Sequence, residues 1–450
     1  MLIKLIQPKM TMRPMDSVMK PRMAPSLGLM TLATLTPPEH QIVLQDENVR
    51  RLDLRDDPDL VAITANVDNA LRAYDIAARY RDRGIPVVGG GIHISSVPWE
   101  ALQHFSAICV GSAENLWGTI VADAAQDRLK PIYQGPHTLR GEDIPIPDRH
   151  LFSSRDYLYS NTISTSRGCP FKCDFCYNSC PYVDYSIVNR PVADVLAEIK
   201  TLGTRHVMFI DDNLIGDRAW TWEFLNALKA EDLRLKWNGA VSVNLIKDLP
   251  LLDLMAETGC NSLFIGFESV NEQALAGVGK RQNQVAEYNH LIAEIHKRGI
   301  MVNASLVFGL DQDDASMFKT TMGWLVANKV ETMTGHIMTP YPGTVLHNRL
   351  VAEGRITDWD YSHYNTANVV YKPLLLSAEE LRDGYFWMYK EFYSLRNILR
   401  RLPDSKRQRV PYLLFNLAYR KFGKVTALLA RIGLLGWLGR VARRLSYHIE

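Results

Sequence analysis

Three cysteines, Cys169, Cys173 and Cys176, lie within the short segment Thr165-Ser-Arg-Gly-Cys-Pro-Phe-Lys-Cys-Asp-Phe-Cys-Tyr177. Thiolates are soft ligands for iron and zinc, and this spacing lets three of them converge from one loop. An iron-sulfur cluster normally takes four protein ligands, so three leave one iron open for another molecule. The competing chemistry is a structural zinc loop with Cys180 as fourth ligand. Zinc ribbons usually pair two CxxC hairpins far apart in sequence, and no second hairpin is present, so the spacing favours the cluster. The chain has six cysteines in 450 residues. Four of them crowd into this one segment, which argues against a disulfide framework and for a metal site in a reducing compartment. Cys109 and Cys260 belong to apolar strands and read as packing residues.

A loop that does chemistry needs strands to hold it. The cysteine loop follows an apolar run over 162–166, and further strands are expected over 207–210, 237–243, 262–267, 302–308 and 332–338. Helical stretches over 192–202 and 284–298 fill two of the gaps. Six strands with six crossings predict an open or partial barrel, with ligands at the strands' carboxyl ends. Upstream, strands over 2–6, 60–64, 86–88 and 107–110 alternate with helices from about residue 28 and over 69–83, which predicts a doubly wound parallel sheet. The organisation is then a first domain over 1–130, a Pro- and Gly-rich linker over 131–155 and a barrel over 156–345. A helical extension over 346–395 and a basic amphipathic tail over 396–450 complete the α/β chain.

The CxxxCxxC loop resembles that of the radical S-adenosylmethionine superfamily. The resemblance implies a 4Fe-4S cluster on Cys169, Cys173 and Cys176, whose open iron binds the amino and carboxylate groups of S-adenosylmethionine. One electron from the reduced cluster would split the sulfonium to methionine and a 5′-deoxyadenosyl radical. Phe175 matches the family's aromatic position near the adenine. Later strand ends fall where such barrels touch the cofactor. They are Asp211 in Ile210-Asp-Asp-Asn213, Ser242, Glu268 in Gly266-Phe-Glu-Ser269, Val307 in Val307-Phe-Gly-Leu310 and Tyr341 in Thr339-Pro-Tyr-Pro-Gly-Thr344. Glu268 is the choice for a polar contact to the ribose or amino group. The likeness covers roughly residues 160–345.

Before such a barrel, the first domain resembles the cobalamin-binding module of one branch of the superfamily. The matching stretches are Pro25-Ser-Leu-Gly28, Ala62-Ile-Thr-Ala65, Gly89-Gly-Gly-Ile-His93 and Val110-Gly-Ser-Ala-Glu114. Glycines at strand ends let backbone approach a flat corrin. Thr64, Gly90, Gly91, His93, Gly111 and Glu114 are therefore the expected cobalamin contacts. The Asp-x-His-x-x-Gly segment that supplies a lower histidine ligand in many cobalamin proteins is absent, as it is in many members of the branch. The alternative is a module that binds nothing and covers the barrel mouth.

Taken together, the resemblance implies an enzyme that methylates an unactivated carbon of a small molecule, with cobalamin as methyl carrier and a reductant such as flavodoxin or ferredoxin. A cyclase or ring-modifying enzyme of the same architecture is the nearest rival. A transfer RNA methylthiotransferase is disfavoured because only Cys109 precedes the linker, and a noncatalytic metal-binding protein is the remaining alternative.

Charge adds one expectation about location. Residues 396–450 carry thirteen Lys or Arg against Asp404 and Glu450, so the rest of the chain is acidic. Leu414, Leu417, Val425, Leu428 and Leu438 recur at mostly helical spacing among those cations, with Trp437 beside them. The pattern suits either packing on the barrel or an anionic membrane surface. Nucleic acid is disfavoured because stacking aromatics are few. The N-terminus lacks a signal-peptide pattern and no long apolar run appears, so a cytoplasmic protein is expected, with peripheral contact at the inner membrane face.

Overall fold

The structure, a computed structural model, describes residues 1–14, 16, 20–134, 139–183, 187–421 and 432–447. Its first sheet contains β1 (Leu2–Gln7), β2 (Gln41–Asp46), β3 (Leu60–Thr64), β4 (Val87–Gly90), β5 (Ala107–Val110) and β6 (Ile132–Gln134). All pairings are parallel and the order is β2-β1-β3-β4-β5-β6. The inner strands are apolar on both sides because helices cover both faces. Leu29, Ala33, Trp117 and Ile120 pack on one face, and Ala73, Ile76, Ala77 and Tyr80 on the other. The sheet is doubly wound, as expected, but two of its edge strands were not foreseen. β2 alternates half-buried and exposed residues, a weak signal. β6 lies in the stretch expected to be linker.

The second sheet runs β14-β13-β12-β11-β10-β7, entirely parallel. Its strands are β7 (Thr162–Ile163), β10 (His206–Phe209), β11 (Lys236–Val241), β12 (Cys260–Glu268), β13 (Met301–Phe308) and β14 (Thr332–Ile337). Among the described residues β7 and β14 do not pair, so the barrel is partial. Each strand is followed by a helix, and the apolar alternation shows why. Met333, Gly335 and Ile337 of β14 are buried, whereas Thr332, Thr334 and His336 face the interior of the open barrel. Between β7 and β10 the chain makes a two-stranded antiparallel ribbon of β8 (Ser166–Arg167) and β9 (Val188–Asn189). The cysteine segment is the excursion between these two strands.

The two domains are stitched together by the segment before β7. Leu158 and Tyr159 donate backbone bonds to Arg22 (2.9 Å) and Met23 (2.7 Å), and the Tyr157 hydroxyl donates to Asp46 Oδ2 at 2.8 Å. Helix Ala378–Phe392 covers β14, with the Tyr389 hydroxyl bonded to both the N–H and the C=O of Gly335. Among the described residues the tail contains helices Leu395–Arg400, Lys406–Lys421 and Leu435–Tyr447, the last returning to the stitch through Arg443 Nη1 on Leu158 O at 2.9 Å. Val425 and Leu428, part of the expected apolar pattern, lie outside the described residues.

A buried ion triad anchors the barrel's first strand. Glu198 accepts from Arg149 Nη2 and Arg190 Nη1, both at 2.5 Å, while Arg149 also donates to Ser160 O and Thr162 O and Arg190 to Ser164 O. Removing a carboxylate from such a site strands guanidinium charge in the interior. Glu198→Ala is therefore expected to lower stability by about 3–5 kcal/mol, read as a displaced midpoint in urea denaturation. Glu198→Gln, which keeps an acceptor oxygen, should cost less.

Candidate cluster and cofactor site

One buried carboxylate sets the starting point of the cysteine loop. Asp211, at the end of β10, accepts four bonds on Oδ1: from Thr165 N (2.8 Å), Thr165 Oγ1 (3.0 Å), Ser166 N (2.6 Å) and Ser166 Oγ (2.7 Å). These donors belong to the turn that leads into β8 and then Cys169. Burial pushes the Asp211 carboxyl up against those bonds, and its Oδ2 has no partner among the described residues. Asp211 thus holds the loop, and the residue also lines the neighbouring cavity.

Cys173 is buried and Cys169 and Cys176 are half-buried. Burial pushes the Cys169 thiol up and the Cys176 thiol, tucked inward, to about 12. Such thiols are protonated by themselves and lose their protons when a metal binds. Among the described residues no group is closed around a single ion. A cubane places each thiolate on a different iron, so an open claw with three soft donors fits a cluster. Cys180 is fully buried, its thiol 4.0 Å from Pro342 O, and packs between the late-strand loop and the first domain.

The other barrel residues named from the sequence lie on the cysteine loop or near the carboxyl ends of the later strands. Phe175 packs against the barrel core with the Lys280 ammonium 5.7 Å from its ring centre. Tyr341 stacks on Tyr177, with ring centres 4.8 Å apart and 13° between planes. Ser242 accepts from Asn213 Nδ2 at 3.1 Å. Val307 faces inward at the end of β13, beside His336 of β14 in register. Glu268 adopts φ +64°, a left-handed conformation rare for a non-glycine, at an irregularity in the β12–β13 pairing. Its carboxylate, expected to make a polar contact to the ribose or amino group, pairs with Lys280 at 2.6 Å.

A cavity of about 520 Å³ lies between the two sheets, where their carboxyl ends face one another. The first domain contributes Gly28, Thr64, Gly90, Gly91, Gly111 and Glu114, and the barrel contributes Ser166, Arg167, Asp211 and Asp212. Five of the six expected cobalamin residues therefore line one wall. Gly91 has φ +102°, and a side chain there would meet Thr64 and the Ala65 backbone, so only glycine keeps the wall flat. Glu114 reaches across to Arg167 at 3.3 Å and joins the wall to the cysteine loop. His93 departs from expectation. It is fully buried behind the wall, bonded to the Tyr74 hydroxyl at 3.1 Å and edge-on to Tyr361. Burial lowers its pKa to about 4, so it is a neutral packing residue. Cys109, read as packing, also reaches the cavity wall.

Sequence reasoning missed Lys280, Gln282, Arg167 and Asp212. Arg167 and Asp212 sit beside residues that were named, so adjacency to Cys169 and Asp211 was the available signal. Lys280 and Gln282 lie in a turn with no pattern of its own.

The chain is similar to known proteins along most of its length. Residues 163–325 match the model of the radical SAM superfamily, and residues 344–446 match a domain of unknown function, DUF4070. Bacteriochlorophyllide d C-8(2)-methyltransferase of Chlorobaculum tepidum is 30% identical over 429 residues, covering 90% of this chain and 93% of that protein. The same organism's bacteriochlorophyllide d C-12(1)-methyltransferase is 27% identical over 387 residues, 84% of each chain. Among solved structures, the methyltransferase TsrM of Kitasatospora setae, with cobalamin and a [4Fe-4S] cluster bound, has a similar fold. Its TM-score is 0.72 at 16% identity, over 98% of this chain and 99% of that one.

Replacing Cys169, Cys173 or Cys176 by Ala is expected to abolish iron and sulfide retention after anaerobic reconstitution, whereas Cys180→Ala should retain both. Asp211→Ala leaves two backbone N–H groups and two hydroxyls without their acceptor, at about 1–3 kcal/mol for each buried group left unpaired. It should lower iron content although every cysteine is present.

Proposed function

The chain belongs to the radical S-adenosylmethionine superfamily, in its cobalamin-dependent branch, and on that footing we propose that it methylates an unactivated carbon of a lipid-soluble small molecule. The supporting observation is the single cavity shared by the carboxyl ends of both sheets. With the cluster on Cys169, Cys173 and Cys176, bound S-adenosylmethionine supplies the radical and cobalamin the methyl group. The protein's part is placement. Phe175, Ser242, Val307 and Tyr341 shape the S-adenosylmethionine side, and Glu268 offers it a carboxylate. Thr64, Gly90, Gly91 and Gly111 present a flat wall to the corrin. The Glu114–Arg167 pair ties that wall to the cysteine loop and would help to position the two cofactor sites relative to each other. Domain boundaries follow the same division, with the first domain extended through β6.

The choice of a lipid-soluble substrate rests on the C-terminal helices. Helix Lys406–Lys421 buries polar or aromatic residues against the barrel: Gln408, Tyr412 and Asn416, the last bonded to Glu331 O at 3.1 Å. Its outer face shows Val410, Leu414 and Leu417, three exposed aliphatics at helical spacing, and Leu395 and Leu399 are exposed on the preceding helix. This reverses the ordinary amphipathic arrangement. Exposed Arg396 and Arg400 lie on that preceding helix, and exposed Arg440 and Arg444 on helix Leu435–Tyr447. An apolar stripe with accompanying cations suits an anionic bilayer surface. Among the described residues no helix is long and apolar enough to cross a membrane. A low-potential protein such as flavodoxin or ferredoxin would supply electrons.

Reconstitution with hydroxocobalamin followed by desalting should leave about one corrin per chain in the visible spectrum. Turnover with methyl-labelled S-adenosylmethionine, with bacteriochlorophyllide d as the first probe, should place label in the product and release both S-adenosylhomocysteine and 5′-deoxyadenosine. Deoxyadenosine without S-adenosylhomocysteine would favour the cyclase alternative, and no retained corrin would remove cobalamin from the reading.

For the surface, the full-length protein should float with vesicles containing anionic lipid, and the Leu399→Glu, Val410→Glu, Leu414→Glu triple variant should stay in the soluble fraction. Equal flotation of the two proteins, or none by either, would exclude this face as the membrane contact.

A further inference from the structure

A second loop, far along the chain, closes over the cysteines. The Asp174 N–H donates to Val278 O at 3.1 Å, and Gly279 lies so near Asp174 that a side chain at 279 would come within 2.9 Å of its carboxylate. From this clamp two side chains reach back. Lys280, 9% exposed, lies over the ring of Phe175, the residue next to Cys176 in the chain, and Gln282 Nε2 donates to Cys173 Sγ at 3.6 Å. The Lys280 ammonium has one bonded partner among the described residues, Glu268 at 2.6 Å, and that carboxylate also accepts from Ser305 Oγ at 3.5 Å.

We propose that residues 278–282 set the reduction potential of the cluster, with Lys280 and Gln282 favouring the reduced state and Glu268 opposing them. The inference rests on the cysteines holding an iron-sulfur cluster. Reduction adds one electron, and therefore one negative charge, to a group already bearing three thiolates. A neighbouring ammonium in a partly dehydrated site stabilises that added charge, and an N–H···S bond withdraws electron density from the thiolate. Glu268 pairs with Lys280 and works in the opposite sense.

The two signs make the idea testable in the full-length chain, by redox titration of the anaerobically reconstituted cluster followed by electron paramagnetic resonance. Iron and sulfide are counted for each variant. Lys280→Met and Gln282→Ala should each lower the midpoint, changing the reduced-to-oxidised ratio at a fixed potential about tenfold, which is about 59 mV for a one-electron couple. Lys280→Arg should keep the wild-type midpoint. Glu268→Gln retains the lysine and removes the opposing charge, so its midpoint should rise. A loop that only shields the cysteines would lower cluster content without moving the midpoint in opposite directions. Unchanged midpoints at full iron content would overturn the proposal. If Lys280→Met fails to hold iron, the absence of a rise in Glu268→Gln would overturn it equally. A wild-type chain that assembles no cluster would instead overturn the functional reading beneath it.

Discussion

The arrangement of the site depends on the Asp211 carboxylate, buried where β10 ends. Its Oδ1 gathers the backbone and hydroxyl donors of both Thr165 and Ser166, so the chain turns sharply before it reaches Cys169. Satisfying four donors with one oxygen offsets the cost of burying the charge, and it fixes a loop that has almost no regular structure of its own. The β8–β9 ribbon then holds the base of the excursion. From this anchored base, Arg167 projects to Glu114 and brings the first domain's wall against the barrel. Three separate parts of the fold are aligned through one short turn.

The second constraint is that both parallel sheets end at the same place. A parallel sheet offers its ligands the loops at its carboxyl edge, and here two such edges enclose one cavity. The helical crossovers lie outside, and the space between the edges is lined by glycines, by apolar side chains such as Leu29, Ile92 and Trp117, and by the carboxylates of Glu114, Asp211 and Asp212.

Much of this was legible in the sequence. The inner strands of both sheets announced themselves as apolar runs, and β3 and β5 fall where periodicity put them, because strands buried on both faces are nearly continuous in hydrophobicity. The cysteines and the glycine strand ends were equally clear. β2 and β6 were missed because edge strands are short and half exposed. His93 was misplaced because a loop position next to three glycines does not reveal that the following helix turns the imidazole into the domain's interior. Asp211 was placed at the site, but its engagement by Thr165 and Ser166 is a contact across about 45 residues of sequence that no local pattern encodes. Lys280 and Gln282 were invisible for the same reason.

The clamp over the cysteine loop has a bearing on the protein's synthesis. Asp174 is held by Val278 and, through its carbonyl, by the N–H of Leu346 at 2.9 Å, and Ser179 accepts from Val345 N at 3.1 Å. The cysteines leave the ribosome first and their cover last, about 170 residues later, which at cellular elongation rates is roughly ten to thirty seconds. Throughout that interval three closely spaced thiols are open to air, to each other and to stray metal. A nascent chain of this design depends on its surroundings for chemical protection before it can supply its own, and the time of greatest danger to the claw is its first half minute, before the barrel that will shelter it has been made.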